Sequence, residues 1–98
     1  MIKGAFLFVC SDADSKKHRA TVETPTLSLI MVGTKDFDDA ANTAKSLVEE
    51  GIQIIELCAG FGPVGTSKII EAVGDKIPVG SVSYGIESAE RWLAFFEK

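Results

Sequence analysis

The sequence predicts an α/β fold: four βα units whose strands form a mostly parallel four-stranded sheet in an α/β/α sandwich, within a single domain spanning 1–98. Apolar, largely β-branched or aromatic runs begin near Gly4, Leu27, Gln53 and Ile77, recurring at intervals of roughly 25 residues. Helical or potentially helical stretches follow each run. Such alternation favours a parallel sheet, because parallel neighbours need a crossover and the usual crossover is a right-handed helical one.

The first run, starting near Gly4, reads as a strand, and its apolar part Ala5 to Cys10 is shorter than a typical signal-peptide core and lacks a small-residue cleavage pattern. The segment from Ser11 to Thr26 reads in two ways. Asp14 caps a short helix through Ser15 to Ala20, or the whole segment is a long loop of the kind that carries function. Pro25 then redirects the chain into the apolar run Leu27 to Val32.

The clearest helix is predicted from Asp36 to Glu50. Phe37, Ala40, Ala41, Ala44, Leu47 and Val48 follow the spacing of one buried face, and Gly51 supplies the stop. Asp36, Asp38 and Asp39 suit its first turn, where unpaired N–H groups and the helix dipole favour negative charge. A second helix is predicted from Pro63 to Val73, with Pro63 in the first turn and Gly74 at the end. The last helix, Ile86 to Phe96, carries an apolar stripe covering an arc of roughly 180°, wider than one sheet face requires. Its Trp92 and Phe95 edge suits a subunit interface or a cover for the edge of the sheet.

At 46% hydrophobic and 24% charged, 98 residues suit one modest core. The net charge of -4 argues against a nucleic-acid or anionic-membrane partner, and no segment approaches membrane-spanning length. Two cysteines make no disulfide framework, so a reducing, cytoplasmic setting with free thiols is expected. No metal site is expected either, because Cys10, Cys58 and His18 lack paired ligand spacing.

In a parallel sheet the strand ends gather on one edge, which is where open α/β sheets bind ligands. The run Ile54 to Ser67 is the most informative there, a strand ending in a glycine-punctuated turn that opens a helix. Gly60, Phe61, Gly62, Gly65, Thr66 and Ser67 are the candidate ligand-binding residues: glycines allow close backbone approach, and the helix start offers N–H groups to an anion. Lys68 adds charge. The letters G-x-G-x-x-G fit Gly60 to Gly65, but a dinucleotide site also needs a ribose-binding acid about twenty residues on and a following strand suited to it, Pro63 removes a donor, and no Gly-Lys-Thr or Gly-Lys-Ser triplet signals a nucleotide loop, so a dinucleotide is disfavoured. A turn that merely packs a helix on a strand is the competing reading.

Glu56, Cys58 and His18 are the candidate catalytic groups. Glu56 lies in an apolar strand and shares a face with Ile54 and Cys58, so it reads as a general acid or base, or as a structural ion pair. Cys10 and Cys58 each end a strand and would be neighbours if those strands pair. Either is a thiolate nucleophile given a base, or a small buried hydrophobe. His18 reads as the one imidazole available to them, or as a hydrogen-bonded loop residue.

Together with Ala5 to Val9, the segments His18-Arg19, Glu23-Thr24-Pro25 and Ile55-Glu56-Leu57-Cys58-Ala59-Gly60-Phe61-Gly62-Pro63-Val64-Gly65 resemble a small prokaryotic family of unknown function. That resemblance implies that His18, Arg19 and Glu23 are motif positions alongside the glycine turn. A looser resemblance from Leu27 to Ser83 is to consecutive units of aldolase-type (β/α) barrels. It implies a half-barrel-like arrangement as the alternative to a flavodoxin-like sheet, although such barrels need eight units and no Schiff-base lysine is evident.

The functional expectation is a cytoplasmic, homodimeric α/β protein binding a small anionic or polar metabolite at the C-terminal edge of its sheet. Were it an enzyme, proton transfer with Glu56 as base is the least strained chemistry. The alternative is a non-enzymatic homo-oligomeric assembly or regulatory module using the C-terminal helix. A flavin is a third candidate ligand; otherwise no cofactor is assigned.

Overall fold

The computed structural model describes residues 1–97. Strand β1 (Ile2–Val9) is followed by β2 (Arg19–Glu23), β3 (Leu27–Thr34), helix α1 (Phe37–Glu49), β4 (Ile54–Leu57), a 3-10 turn (Ala59–Phe61), α2 (Gly62–Val73), β5 (Val79–Ser81), a second 3-10 turn (Ile86–Ser88) and α3 (Ala89–Phe96). The sheet order is β2-β3-β1-β4-β5. β1 runs parallel to β3 and β4, and β4 parallel to β5.

The four strands expected from apolar runs are all present, and the three long helices fall close to their predicted bounds. The fifth strand corrects the expectation for Ser11 to Thr26. Asp14 does cap a turn, its carboxylate accepting from the Lys16 N–H at 2.9 Å and its carbonyl from the His18 N–H at 2.7 Å. From Arg19 onward, however, the chain extends and pairs antiparallel with β3. β-branched Thr21 and Val22 favour that conformation, and the Thr24 Oγ1 accepts from the Leu27 N–H at 3.0 Å to close the hairpin.

This replacement of a helix by a strand changes the layers. The four parallel strands stand in the order β3-β1-β4-β5, so the sheet is not the consecutive order of a half-barrel. Steps from β3 over β1 to β4, and from β4 to β5, run in one direction. Right-handed crossovers therefore lay α1 and α2 on one face. The step from β1 to β3 runs the other way, where a crossover helix would have covered the opposite face, but β2 makes that step in the plane of the sheet. The expected α/β/α sandwich is thus a two-layer α/β arrangement with a mixed, five-stranded sheet.

The core lies between that one face and the two helices. Ala5, Leu7, Val32, Ile55 and Leu57 from the sheet meet Ala40, Ala44, Leu47, Ile69 and Val73 from the helices. Thr34, fully buried, donates its hydroxyl to the Phe8 carbonyl at 2.8 Å and ties the ends of β3 and β1 together. Asp36 caps α1, its carboxylate accepting from the Asp39 N–H at 2.7 Å. No residue of α3 is buried.

On the other face, alternation places Ile2, Phe6 and Phe8 of β1, Leu27, Leu29 and Met31 of β3, Val22 of β2 and Ile54 of β4. Ile2 and Val22 are 59% and 68% exposed. Glu56 shares this face, between Phe6 and Gly80 in register.

Candidate functional site

The strand ends do gather on one edge, and two cavities open there. One, of about 370 Å³, is lined by Ala59, Gly62 and Pro63 from the turn after β4, by Ser81 to Tyr84 after β5, and by Trp92 of α3. The other, of about 460 Å³, lies at the opposite end of the edge, among Ala13 to Lys16, Lys35 and Asp39. Hydrogen bonds from the Ser15 hydroxyl and the Lys35 N–H to the two Asp39 oxygens, at 3.2 and 3.0 Å, brace this second site.

The first cavity owes its shape to glycine and aromatic rings. Gly62 has φ of +60°, a conformation that any L side chain would strain, and it swings the chain from the 3-10 turn into α2. Across from it, Tyr84 stacks on Trp92 with ring centroids 4.3 Å apart. The hydroxyls of Ser81, Ser83 and Tyr84 belong to lining residues, and no ionisable acid or base of the Asp, Glu, Lys, Arg or His type lines the cavity.

The six candidate binding residues do not form one cradle. Gly62 lines the cavity, and Gly60 sits next to it in the turn, where an added Cβ would lie 3.2 Å from Val9 and 3.4 Å from the Cys58 sulfur. Phe61 instead turns into the core, 2% exposed and stacked on Phe37 with centroids 5.5 Å apart. Gly65 is buried against the Phe37 ring. Ser67 lines a groove between α1 and α2, where Lys68 also lies, paired with Asp38 rather than with the strand edge. The Thr66 hydroxyl oxygen is buried without a hydrogen-bond partner among the described residues.

The catalytic candidates are likewise dispersed. Glu56 is exposed on the uncovered face, and its side chain has no hydrogen bond or ion pair among the described residues. Cys58 is half-buried just beyond it. His18 accepts from the Asp14 N–H at Nδ1, 2.8 Å away, and its backbone carbonyl accepts from Gly33 at 2.8 Å, so it anchors the loop before β2. β2 lies three strand positions from β4, about 14 Å at ordinary strand spacing. The motif residues Arg19 and Glu23 lie on β2 as well, with the Arg19 Nε donating to the Ser15 carbonyl at 2.8 Å. Tertiary structure therefore separates His18, Arg19 and Glu23 from the glycine turn.

β1 and β4 are neighbours, which brings the chain segments bearing Cys10 and Cys58 to adjacent strand ends. Both thiols are free. Cys10 donates its S–H to Asp12 Oδ1 at 2.8 Å; this hydrogen bond pushes the thiol pKa up and holds the carboxyl below its ordinary range. A raised pKa means less thiolate, so Asp12→Ala is expected to speed alkylation of Cys10 by iodoacetamide several-fold near about pH 8. Peptide mapping separates Cys10 from Cys58, and equal Cys10 rates in both proteins would contradict the assignment.

Among the described residues no group of three or more His, Cys, Asp or Glu side chains is placed to hold a metal ion, and no helix is long and apolar enough to cross a membrane. Sequence reasoning brought the strand ends to this edge but read Trp92 only as an interface or edge residue. Its part in the cavity depends on how α3 folds back beside the turn, which helical periodicity does not reveal.

The chain matches a family of unknown function, DUF6506, over residues 2–97, and therefore belongs to it. Neither a curated protein nor a solved structure matches the chain.

Proposed function

We propose that this protein binds a small polar or anionic metabolite in the cavity at the ends of β4 and β5. The observation that carries the reading is the open cleft of about 370 Å³ lined by Gly62, Pro63, Ser81 to Tyr84 and Trp92. That volume lies within the range of ordinary small-molecule sites, roughly 300–1,000 Å³. The stacked Tyr84 and Trp92 rings offer an apolar wall, and the serines offer hydroxyl donors. Partial positive charge from the start of α2 supplements them, with Pro63 contributing no donor. A modest, planar ligand bearing one carboxylate or phosphate fits this mixture. Because Glu56, Cys58 and His18 stay outside the lining, the reading assigns binding and no catalytic step.

Titrating isotopically labelled protein with a panel of carboxylate, phosphate and flavin metabolites tests it by NMR. A binder is expected to shift the Gly62 and Ser83 amides and the Trp92 indole N–H, and Tyr84→Ala is expected to weaken it about tenfold, the loss of roughly 1.4 kcal/mol of stacking and packing. A panel that moves none of these signals, or moves only those around Lys16 and Lys35, would defeat the reading.

A second reading, homo-oligomeric assembly through the C-terminal helix, is favoured by one observation. Ile86 in the 3-10 turn before α3 is 93% exposed, and Leu93, Phe95 and Phe96 of α3 are 61%, 61% and 62% exposed, large apolar side chains left facing water.

A further inference from the structure

We propose that the uncovered face of the sheet is the contact surface of a homodimer, closed by the same face of a second copy of this chain. Parallel strands ordinarily have both faces covered, one reason being that their residues are apolar on both sides. Here α1 and α2 cover one side only, while Val22, Met31, Phe6, Phe8, Leu29 and Ile54 occupy the other.

The surface is flat enough to meet its own copy. Gly33 lies under the Phe8 ring so closely that an added Cβ would stand 2.6 Å from it, and Gly4 lies under Ile54 and Leu29 at 3.2 and 3.5 Å. These glycines let large neighbours lie along the sheet instead of standing up from it. The five strands hold 8, 5, 8, 4 and 3 residues in chain order, and at about 3.3 Å rise per residue and about 4.8 Å between strands they give a face on the order of 450 Å² in projection. Side-chain relief raises that toward the roughly 800 Å² per partner of a standard interface.

Charge favours a second copy over a lipid surface. By strand alternation, Glu56 is the sole carboxylate and no Lys or Arg joins it on the face, so nothing there attracts anionic headgroups. Apolar side chains concentrate on β1 and β3. A twofold axis over those strands leaves Glu56 one strand outward, at the rim, where a carboxylate keeps its water. The surface shares no residue with the metabolite cavity, so it stands if no metabolite binds there.

The test is the mass of the full chain by light scattering at micromolar concentration, in wild type and in Met31→Glu, Val22→Glu and Leu93→Ser. Wild type is expected at twice the 10.5 kDa chain mass. Met31 is 45% exposed in the protomer, so Met31→Glu should fold, as circular dichroism would verify, yet weaken the dimer about 100-fold or more by burying a charge without a partner. Val22→Glu, on the edge strand, repeats the test should Met31→Glu fold poorly. Leu93→Ser on α3 should leave the mass unchanged. A monomeric wild type, including one in which α3 closes over its own sheet, would overturn the proposal. So would a dimer that resists both carboxylates or that Leu93→Ser dissociates.

Discussion

Phe61→Ala is expected to remove about 3–5 kcal/mol of folding stability, the usual cost of emptying a buried phenylalanine site. For a domain of this size that lowers the melting temperature by more than about 12 °C. Phe61 lies in the glycine turn, where an exposed aromatic would face a ligand, but its ring is 2% exposed and stacks on Phe37. The 3-10 turn Ala59–Phe61 rotates the side chain beneath α2 and joins it to Leu7, Leu57 and Ile69 in one core. Urea denaturation measures the loss directly. A change below about 1 kcal/mol would show that the ring is not a core residue in solution and would return it to the binding surface.

Gly65→Val comes next, at about 2–3 kcal/mol by overpacking. An added Cβ at this position would stand 2.8 Å from two carbons of the Phe37 ring, and that ring also stacks on Phe61. A ring displaced by the new atom shifts against that stack. Gly65→Ala is expected to cost less, since better helix propensity returns about 1 kcal/mol. In a Phe37→Ala background the penalty at position 65 should largely vanish, a coupling of about 1 kcal/mol or more measurable by a double-mutant cycle. Equal penalties in both backgrounds would mean that Gly65 is required for something other than closeness to Phe37. Either change leaves the lining of the proposed cavity intact, so folded variants should retain any ligand seen with wild type.

These two residues show how far local sequence carries. The spacing of glycines in Gly60-Phe61-Gly62-Pro63-Val64-Gly65 places a tight strand-to-helix turn correctly, because positive φ at Gly62 and Pro63 in the first helical turn are local requirements. Which glycine faces a cavity and which faces a phenylalanine is decided by residues far away in the chain. Similarly, Glu56 is legible as a polar residue in an apolar strand, while its exposure follows from the absence of a second helical layer.

Period-two alternation in β1, β3 and β4 and the helical stripes of α1 and α2 reflect the chain's own geometry, so the sequence by itself determined an α/β chain with parallel strands and their approximate bounds. It also determined that one edge would collect the turns after the strands. Only the tertiary structure decided that Arg19–Glu23 pairs as β2, where the sequence left either a short helix ending at Ala20 or a long loop. Edge-strand pairing is won by hydrogen bonds to β3, a partner reached through a hairpin, and intrinsic propensity in a short polar stretch is too weak to oppose it. With that strand in the sheet plane, no crossover helix lies over the second face, and the same apolar alternation that encodes a buried strand leaves Met31, Val22 and Ile54 facing outward.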